Sequence, residues 1–343
     1  MSNKEPDSLS TLISPYIENP YGMIDLFCGI GGFSEGARRA GFKVAGLDKD
    51  HTAVHLYRTN VGQAAVVDIL HDGHPPFPAP FVFADLPILW CRGGGINVLP
   101  LNHQTNGFSS EEVVHTFRIA REASAEVVGF SWSALGKIQL LGGFRAQNRR
   151  IKPPKILLWL ENMARAAGYR GIVSFPINMA DYGIPHLRRR YIALCFPTVA
   201  LARKYRPPQF THGFPGSPWL TVEDVLPHVP YPFPCPALTA QEYKSKRSQG
   251  NRKAIWASSL LIDHVGNEAW GRSFSGLTHQ EIAMIQGLPE SWLLSEPDKY
   301  DPRESSELVS RAFSPVVATA ICSSVMDYVR LRYNEVVRRK RRG

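Results

Sequence analysis

Apolar and polar residues alternate along the first quarter of the chain in the rhythm of a β-α-β-α-β unit. Short apolar runs predict strands, and the segments between them carry apolar residues on one side, which predicts helices. The predicted strands are GMIDLF, KVAGLD, AAVVDI and FVFAD, and the predicted helices are FSEGARRAG and HTAVHLYRTN. This alternation predicts an α/β fold with a doubly wound, mostly parallel sheet.

The remaining chain divides by composition. Residues 92–155 contain an amphipathic stretch at Glu111–Ala123 and a basic segment. Residues 156–196 resume the strand and helix pattern, whereas residues 207–236 are rich in proline and lack periodicity. Two helices are predicted after Leu277, the second running from Ser305 into a basic tail. We expect a leader (1–20), a main domain (21–199), a small irregular region (200–270), a return to the main domain (271–330) and the tail (331–343).

Composition and cysteine usage exclude several classes of protein. The 343 residues are 44% hydrophobic and 20% charged, as in ordinary globular proteins. No apolar run approaches the roughly 18 residues of a membrane span, and the first residues lack the apolar core of an export signal. The five cysteines form no CxxC pair, which argues against a disulfide scaffold and a cysteine-rich zinc site. We expect a cytoplasmic protein with no metal and no membrane contact.

The charge suggests a polyanionic partner. Thirty-nine lysines and arginines against 30 acidic residues give a net charge of +9, with much of the excess in RLRYNEVVRRKRRG. Clustered basic residues suit nucleic acid, because neutralised phosphates release counterions. A solvated, frayed helix end explains the same tail equally well, so both interpretations stay open.

A glycine loop after the first strand is the strongest local signal. In DLFCGIGGF the loop follows Met23–Phe27 and precedes the predicted helix Ser34–Ala40, so its backbone can approach a ligand at a helix N-terminus. Asp48 ends the second predicted strand, where a carboxylate can accept hydrogen bonds from the ribose of an adenosine. Asp68 ends the third, within reach of an adenine amino group. Such glycines can also merely tighten a turn, but two carboxylates at neighbouring strand ends favour ligand binding.

These residues resemble the DNA cytosine-5 methyltransferases. DLFCGIGGFSEGARRAGF is similar to the family's first motif, LDKD and VVDIL to the second and third, and ADYGIPHLRRRYIALCF to the eighth. RSFSGLTHQEIAMIQGLPESW is similar to the ninth motif and RAFSPVVATAI to the tenth. Several motifs in one order are far more specific than any single motif.

The resemblance implies a class I, Rossmann-like fold that binds S-adenosylmethionine and transfers its methyl group to carbon-5 of cytosine in DNA. The partner is then double-stranded DNA, with a cognate restriction enzyme or partner subunit as further candidates and a nucleoid-associated location. Residues 21–199 become the cofactor-binding and catalytic domain, and residues 200–270 the target-recognition region. The implied cofactor residues are Asp25, Phe27, Gly29, Ile30, Gly31, Gly32, Asp48, Asp68 and Pro87.

The chain departs from the family where the chemistry should occur. A cysteine thiolate must add to carbon-6 of the cytosine, and an acid must protonate ring nitrogen-3. When ADLPILWC is aligned on Ala84 and Pro87, the cysteine position holds Ile88, and the nearest thiol is Cys91. Base rates favour a buried, inert cysteine over a nucleophile at this position. Ser131 stands in the place of the family's glutamate. We therefore expect doubtful turnover, with Cys91 as the candidate nucleophile.

The eighth motif keeps its arginines. Arg188 and Arg190 match the family's pair, with His186 in place of the usual glutamine, and alternate strand residues point the same way. We therefore expect both arginines to address one ligand, although a basic strand edge is the alternative. Three hypotheses remain open: an active methyltransferase with a displaced nucleophile, an inactive relative that binds cofactor or DNA as a partner, or a scrambled segment at residues 88–155.

Overall fold

A computed structural model describes residues 20–72, 78–86, 110–133, 155–236, 279–294, 308–309 and 311–340. Within them lies a seven-stranded sheet of order β3-β2-β1-β4-β5-β8-β6. All neighbouring pairs are parallel except those of β8, which runs antiparallel to both β5 and β6. The strands are β1 (Gly22–Leu26), β2 (Lys43–Asp48), β3 (Ala64–Val66), β4 (Phe81–Asp85), β5 (Val127–Ser133), β6 (Gly171–Asn178) and β8 (Arg189–Phe196). The predicted doubly wound, mostly parallel sheet is confirmed.

Helices cover both faces of this sheet. They are α1 (Gly32–Arg39), α2 (His51–Asn60), α3 (Ser110–Glu122), α4 (Lys155–Ala166), α5 (Val199–Ala202), α6 (Val222–Val225), α7 (His279–Ile285) and α8 (Pro315–Lys340), with a 3-10 turn at Met179–Tyr182. Helices α3 and α4 share a core with one set of strand side chains, and α1 and α8 share a core with the other set. In β4 the alternation is direct, because Val82 belongs to the first core and Phe83 to the second.

Helices α1 and α8 approach each other closely because glycine lies at their contact. A Cβ atom added at Gly36 would lie 2.4 Å from the Ala318 Cβ and 2.6 Å from the Pro315 carbonyl oxygen. The contact explains why the carboxyl-terminal helix is part of the main domain. It brings the last predicted motif against the helix that follows the glycine loop.

The proline-rich region is small and irregular. Its second half packs Val222, Leu226 and Tyr231 in a third core with Ile282 and Trp292. The two-residue strand β9 (Cys235–Pro236) pairs in parallel with β7 (His186–Leu187). The region is thereby joined to the middle of the eighth motif. Residues 237–278, which include the second part of the predicted target-recognition region, lie outside the described residues.

Three predicted boundaries were wrong. Strand β3 ends at Val66, so Asp68 lies two residues beyond it rather than at its end. Helix α1 begins at Gly32, two residues earlier than predicted. Residues 312–314 are not helical, and α8 begins only at Pro315, because proline lacks the amide that a helix interior requires but suits the first turn.

The described part of the chain contains neither a membrane-spanning helix nor a cluster of metal ligands. None of its helices is both long and apolar enough to cross a membrane. No group of three or more histidine, cysteine or acidic side chains is arranged there to hold a metal ion. The cysteines in this part, Cys28, Cys195, Cys235 and Cys322, are buried and form no disulfide bond.

Candidate functional site

The glycine loop joins the carboxyl ends of β1 and β2. The Gly29 amide donates a hydrogen bond of 2.8 Å to Oδ2 of Asp48, and the Asp50 amide donates to Oδ1 at 3.0 Å. Asp48 thus fixes the loop against β2 with one lone pair of each oxygen.

The loop backbone is strained in the way that functional loops often are. Phe27 has a φ of 57°, which is unusual for a residue with a side chain, and Gly29 and Gly31 have φ values of 54° and 93°. A Cβ atom at Gly31 would lie 2.7 Å from Tyr57, whereas a Cβ atom at Gly29 would meet no described atom within 4 Å. Among the described residues Gly29 therefore borders open space, whereas Gly31 is needed for packing on Tyr57.

The other predicted cofactor residues occupy different positions around this loop. The Ile30 side chain is buried in the third core, so only its backbone can face a ligand. Gly32 begins α1 and packs so closely on Phe313 that an added Cβ atom would lie 2.0 Å from the Phe313 carbonyl oxygen. Asp68 is partly exposed, accepts the Leu70 amide and contacts His71, which lowers its pKa. Pro87 lies outside the described residues.

Asp25 is a buried carboxyl group under the loop. The Ser34 hydroxyl donates to its Oδ2 at 2.6 Å, while its Oδ1 is buried without a hydrogen-bond partner. Burial raises the pKa of Asp25 to about 8, the hydrogen bond from Ser34 opposes this shift, and the nearby charges of Asp85 and Asp48 add to it. Burial also raises the pKa of Asp48, although the amides that it accepts lower it. The carboxyl ends of β1, β2 and β4 therefore carry three electrostatically coupled carboxyl groups.

The second part of the site surrounds Arg190, the second residue of β8. Its guanidinium is buried, forms an ion pair with Asp85 of β4 and donates a 2.9 Å hydrogen bond to the Ser131 hydroxyl of β5. The guanidinium carbon also lies 5.0 Å from the centre of the Phe313 ring, which favours a cation. Asp85 and Ser131 are direct partners in the parallel register of β4 and β5. One arginine therefore connects three strands at the carboxyl edge of the sheet.

Arg188 performs a different task. It lies between β7 and β8 rather than within a strand, which differs from the predicted alternation. Its guanidinium donates to the carbonyl oxygens of Ala312 and Arg311 at 3.2 and 3.3 Å, and to Gln286 at 3.4 Å. Burial, with the neighbouring Arg190 charge, lowers its pKa to about 9. The two arginines lie close together, but Arg188 holds the segment that leads into α8.

Sequence reasoning did not select three residues of this arrangement: Asp85, Ser34 and Phe313. Asp85 ends a predicted strand beside the expected nucleophile, and that position was the available signal. Ser34 and Phe313 gave no comparable signal, because their roles depend on contacts with Asp25 and Arg190. The candidate nucleophile Cys91 and the aligned Ile88 lie outside the described residues. Glu161, in α4, contacts Arg165 at 3.4 Å on an exposed helix face.

Comparisons with known proteins agree with this description. A family model described as C-5 cytosine-specific DNA methylase matches residues 21–79, the segment that contains the glycine loop, Asp48 and Asp68. The resemblance found in the sequence is thereby confirmed for that segment. A comparison with curated protein sequences gave no match.

Solved structures share the fold at low sequence identity. A prophage-encoded protein of E. coli described as a DNA modification methyltransferase is 16% identical, with a TM-score of 0.57 over 90% of this chain and 99% of that one. S. pombe Dnmt2 methyltransferase is 14% identical, with a TM-score of 0.58 over 90% and 98%. Entamoeba histolytica methyltransferase EhMeth is 13% identical, with a TM-score of 0.57 over 91% and 98%. These similarities show that the chain shares the Rossmann-like fold of these proteins.

Proposed function

We propose that this chain is an S-adenosylmethionine-dependent methyltransferase that acts on carbon-5 of cytosine in double-stranded DNA. The observation that carries the proposal is the hydrogen bond from the Gly29 amide to Asp48, which joins the ends of β1 and β2 beside open space. The match of residues 21–79 to the cytosine-specific methylase model supports the same chemistry.

The residues fit the cofactor in shape and in polarity. Gly29 leaves room for a ligand against the backbone, and Asp48 keeps lone pairs for ribose hydroxyls. Asp25 lies beneath the loop, where its Oδ2 accepts the Ser34 hydroxyl and so holds the start of α1 under this surface. We assign the backbone of 27–32 and the side chains of Asp25, Asp48 and Asp68 to the cofactor, which supplies an electrophilic methyl group when bound.

The substrate must enter from the side of Arg190. Carbon-5 of cytosine cannot be reached inside a base pair, so the target base has to leave the duplex before it reacts. Arg190 and Asp85 then meet the edge of the extruded base, while Arg188 holds the 311–312 backbone in place. Turnover by the unaltered chain is expected to be weak, because Ile88 stands at the nucleophile's place and Cys91 must substitute for it.

Calorimetric titration with S-adenosylmethionine tests the cofactor site. We expect binding by the unaltered chain, and the Asp48→Ala variant should lose about 1–3 kcal/mol of binding free energy, the scale for removing an acceptor that is charged or buried. Asp50→Ala is the matched control, because its side chain caps α2 and accepts the Ala53 amide. Equal losses in both variants would mean that Asp48 acts only through the loop, and absence of binding by the unaltered chain would refute the proposal.

A further inference from the structure

We propose that Asp85 is the acid of this active site, the group that protonates nitrogen-3 of the target cytosine in place of the missing glutamate on β5. The inference rests on the proposed function, because it assigns a residue to that reaction. It starts from the finding that Arg190 contacts a carboxylate on β4 as well as the Ser131 hydroxyl on β5.

Ser131 cannot do this work. Its side chain is fully buried, and a serine hydroxyl is too weak an acid to protonate a ring nitrogen near neutral pH. It accepts a hydrogen bond from Arg190 and so helps to hold the guanidinium. The position that the family's glutamate would occupy therefore contributes to the placement of Arg190 and not to proton transfer.

Asp85 has the chemistry and the position that Ser131 lacks. It is the direct register partner of Ser131, one strand away at the carboxyl edge of the sheet. Its side chain remains 19% exposed, whereas Arg190 is 5% exposed, so the carboxyl group is the more accessible of the pair. In the sequence, Asp85 is also two residues from Pro87, which begins the segment that aligns with the family's nucleophile motif. A base held by Arg190 would therefore meet Asp85 beside it.

The proton passes from Asp85 to nitrogen-3 of the base and returns to Asp85 within one turnover. As a thiolate forms its bond to carbon-6, the electron pair of the 5,6 double bond moves through carbon-4 to nitrogen-3, which takes the proton of the Asp85 carboxyl group. Arg190 stabilises the carboxylate that this leaves. After carbon-5 has taken the methyl group and passed its proton to a solvent water, the 5,6 double bond re-forms as the thiolate leaves carbon-6, and nitrogen-3 returns its proton to Asp85.

The test measures transfer of labelled methyl groups to phage DNA that lacks cytosine methylation, which presents every short recognition sequence. Asp85→Asn keeps the side-chain volume and an acceptor for Arg190, but removes the acid. We expect kcat to fall about 10²–10⁴-fold, the usual contribution of a general acid, with KM and cofactor affinity unchanged. Asp85→Glu should recover part of the rate and move its pH profile.

Glu126→Gln is the matched control, because it weakens another arginine–carboxylate contact, with Arg332 at 3.2 Å, at the opposite end of β5. It should leave kcat unchanged. If Asp85→Asn lowers the melting temperature and raises KM but leaves kcat and its pH profile intact, Asp85 only supports Arg190 and the inference is overturned.

The failure of the inference differs from that of the proposed function. Cofactor binding without methyl transfer by the unaltered chain would refute the proposed function alone, and Asp85 is then tested in the Ile88→Cys chain, which supplies a nucleophile at the family's position. Activity there that is lost in Asp85→Asn supports the inference. Absence of activity there overturns it, because nucleophile and acid would both be present.

Discussion

The two halves of the site are built by different means. Around β1 and β2, the ligand surface consists of backbone atoms of a glycine loop and carboxylates within a short stretch of chain, and 19 residues separate Gly29 from Asp48. Around β4, β5 and β8, the single side chain of Arg190 contacts residues that are distant in the sequence. Its ion-pair partner Asp85 is 105 positions away. The first half is legible in the sequence because it is local, whereas the second exists only after the sheet has formed.

The difference also shows how each half tolerates change. The backbone of a glycine loop cannot be replaced by substituting a side chain, so its sequence retains the family pattern. A carboxyl group near Arg190 can come from either of two neighbouring strands, because Asp85 and Ser131 are in register. The second half can therefore depart from the family motif while it keeps a carboxylate at the arginine.

We expect the largest loss of stability when Arg190, which contacts residues of β4 and β5 in the second half, is replaced. Arg190→Met leaves Asp85 without its cation, and breaking a buried ion pair in this way costs about 3–5 kcal/mol. We expect the free energy of unfolding, measured with denaturant, to fall by that amount. Arg332→Met, which removes a more exposed arginine from Glu126 and Glu335, should cost less than half as much. Equal losses would contradict the central position of Arg190.

The pH dependence of stability tests Asp25, the buried carboxyl group of the first half. Because burial raises the pKa of Asp25 to about 8, the folded protein binds a proton there that the unfolded chain releases near pH 4. The stability due to this group is complete below about pH 4 and is lost as the pH rises to 8, at up to about 1.4 kcal/mol per pH unit. Asp25→Asn should flatten this decline.

Unfolding measured at pH 5, 6, 7 and 8 gives the comparison. Asp72→Asn is the control, because it removes an exposed carboxylate that accepts the Asp68 amide in the segment after β3. An identical slope in the unaltered chain and in Asp25→Asn would mean that Asp25 is not the group responsible.

The smallest effect on either half should come from the tail. Arg338 is exposed near the end of α8, far along a helix whose first turns pack on α1. Deleting residues 338–343 should leave cofactor affinity and stability unchanged, yet flatten the dependence of DNA affinity on salt, since each lost phosphate contact lowers the logarithmic slope by about 0.9. Affinities at four salt concentrations measure it, and an unchanged slope would make the tail a solvated helix end.

Much of the fold could be predicted because its signals are local. The strand pattern, the glycine loop and the helices up to Asn60 follow from periodicity, and the structure confirms the parallel sheet with small changes at element ends. The predicted start of α8 was wrong, because the apolar pattern continues through residues 312–314. The helix begins only at Pro315, since proline suits the first turn of a helix but not its interior. Residues 87–109 and 134–154, where the sequence departs from the family, lie outside the described part of the chain.

The sequence by itself determined the doubly wound sheet, the position of the glycine loop and the placement of Asp48 opposite it. Local periodicity and glycine's conformational freedom suffice for these. Only the tertiary structure decided that Arg190 pairs with Asp85, that Arg188 holds the segment before α8, and that Phe313 lies beside the guanidinium. Those contacts join residues more than 100 positions apart, and strand order and register decide which of them meet.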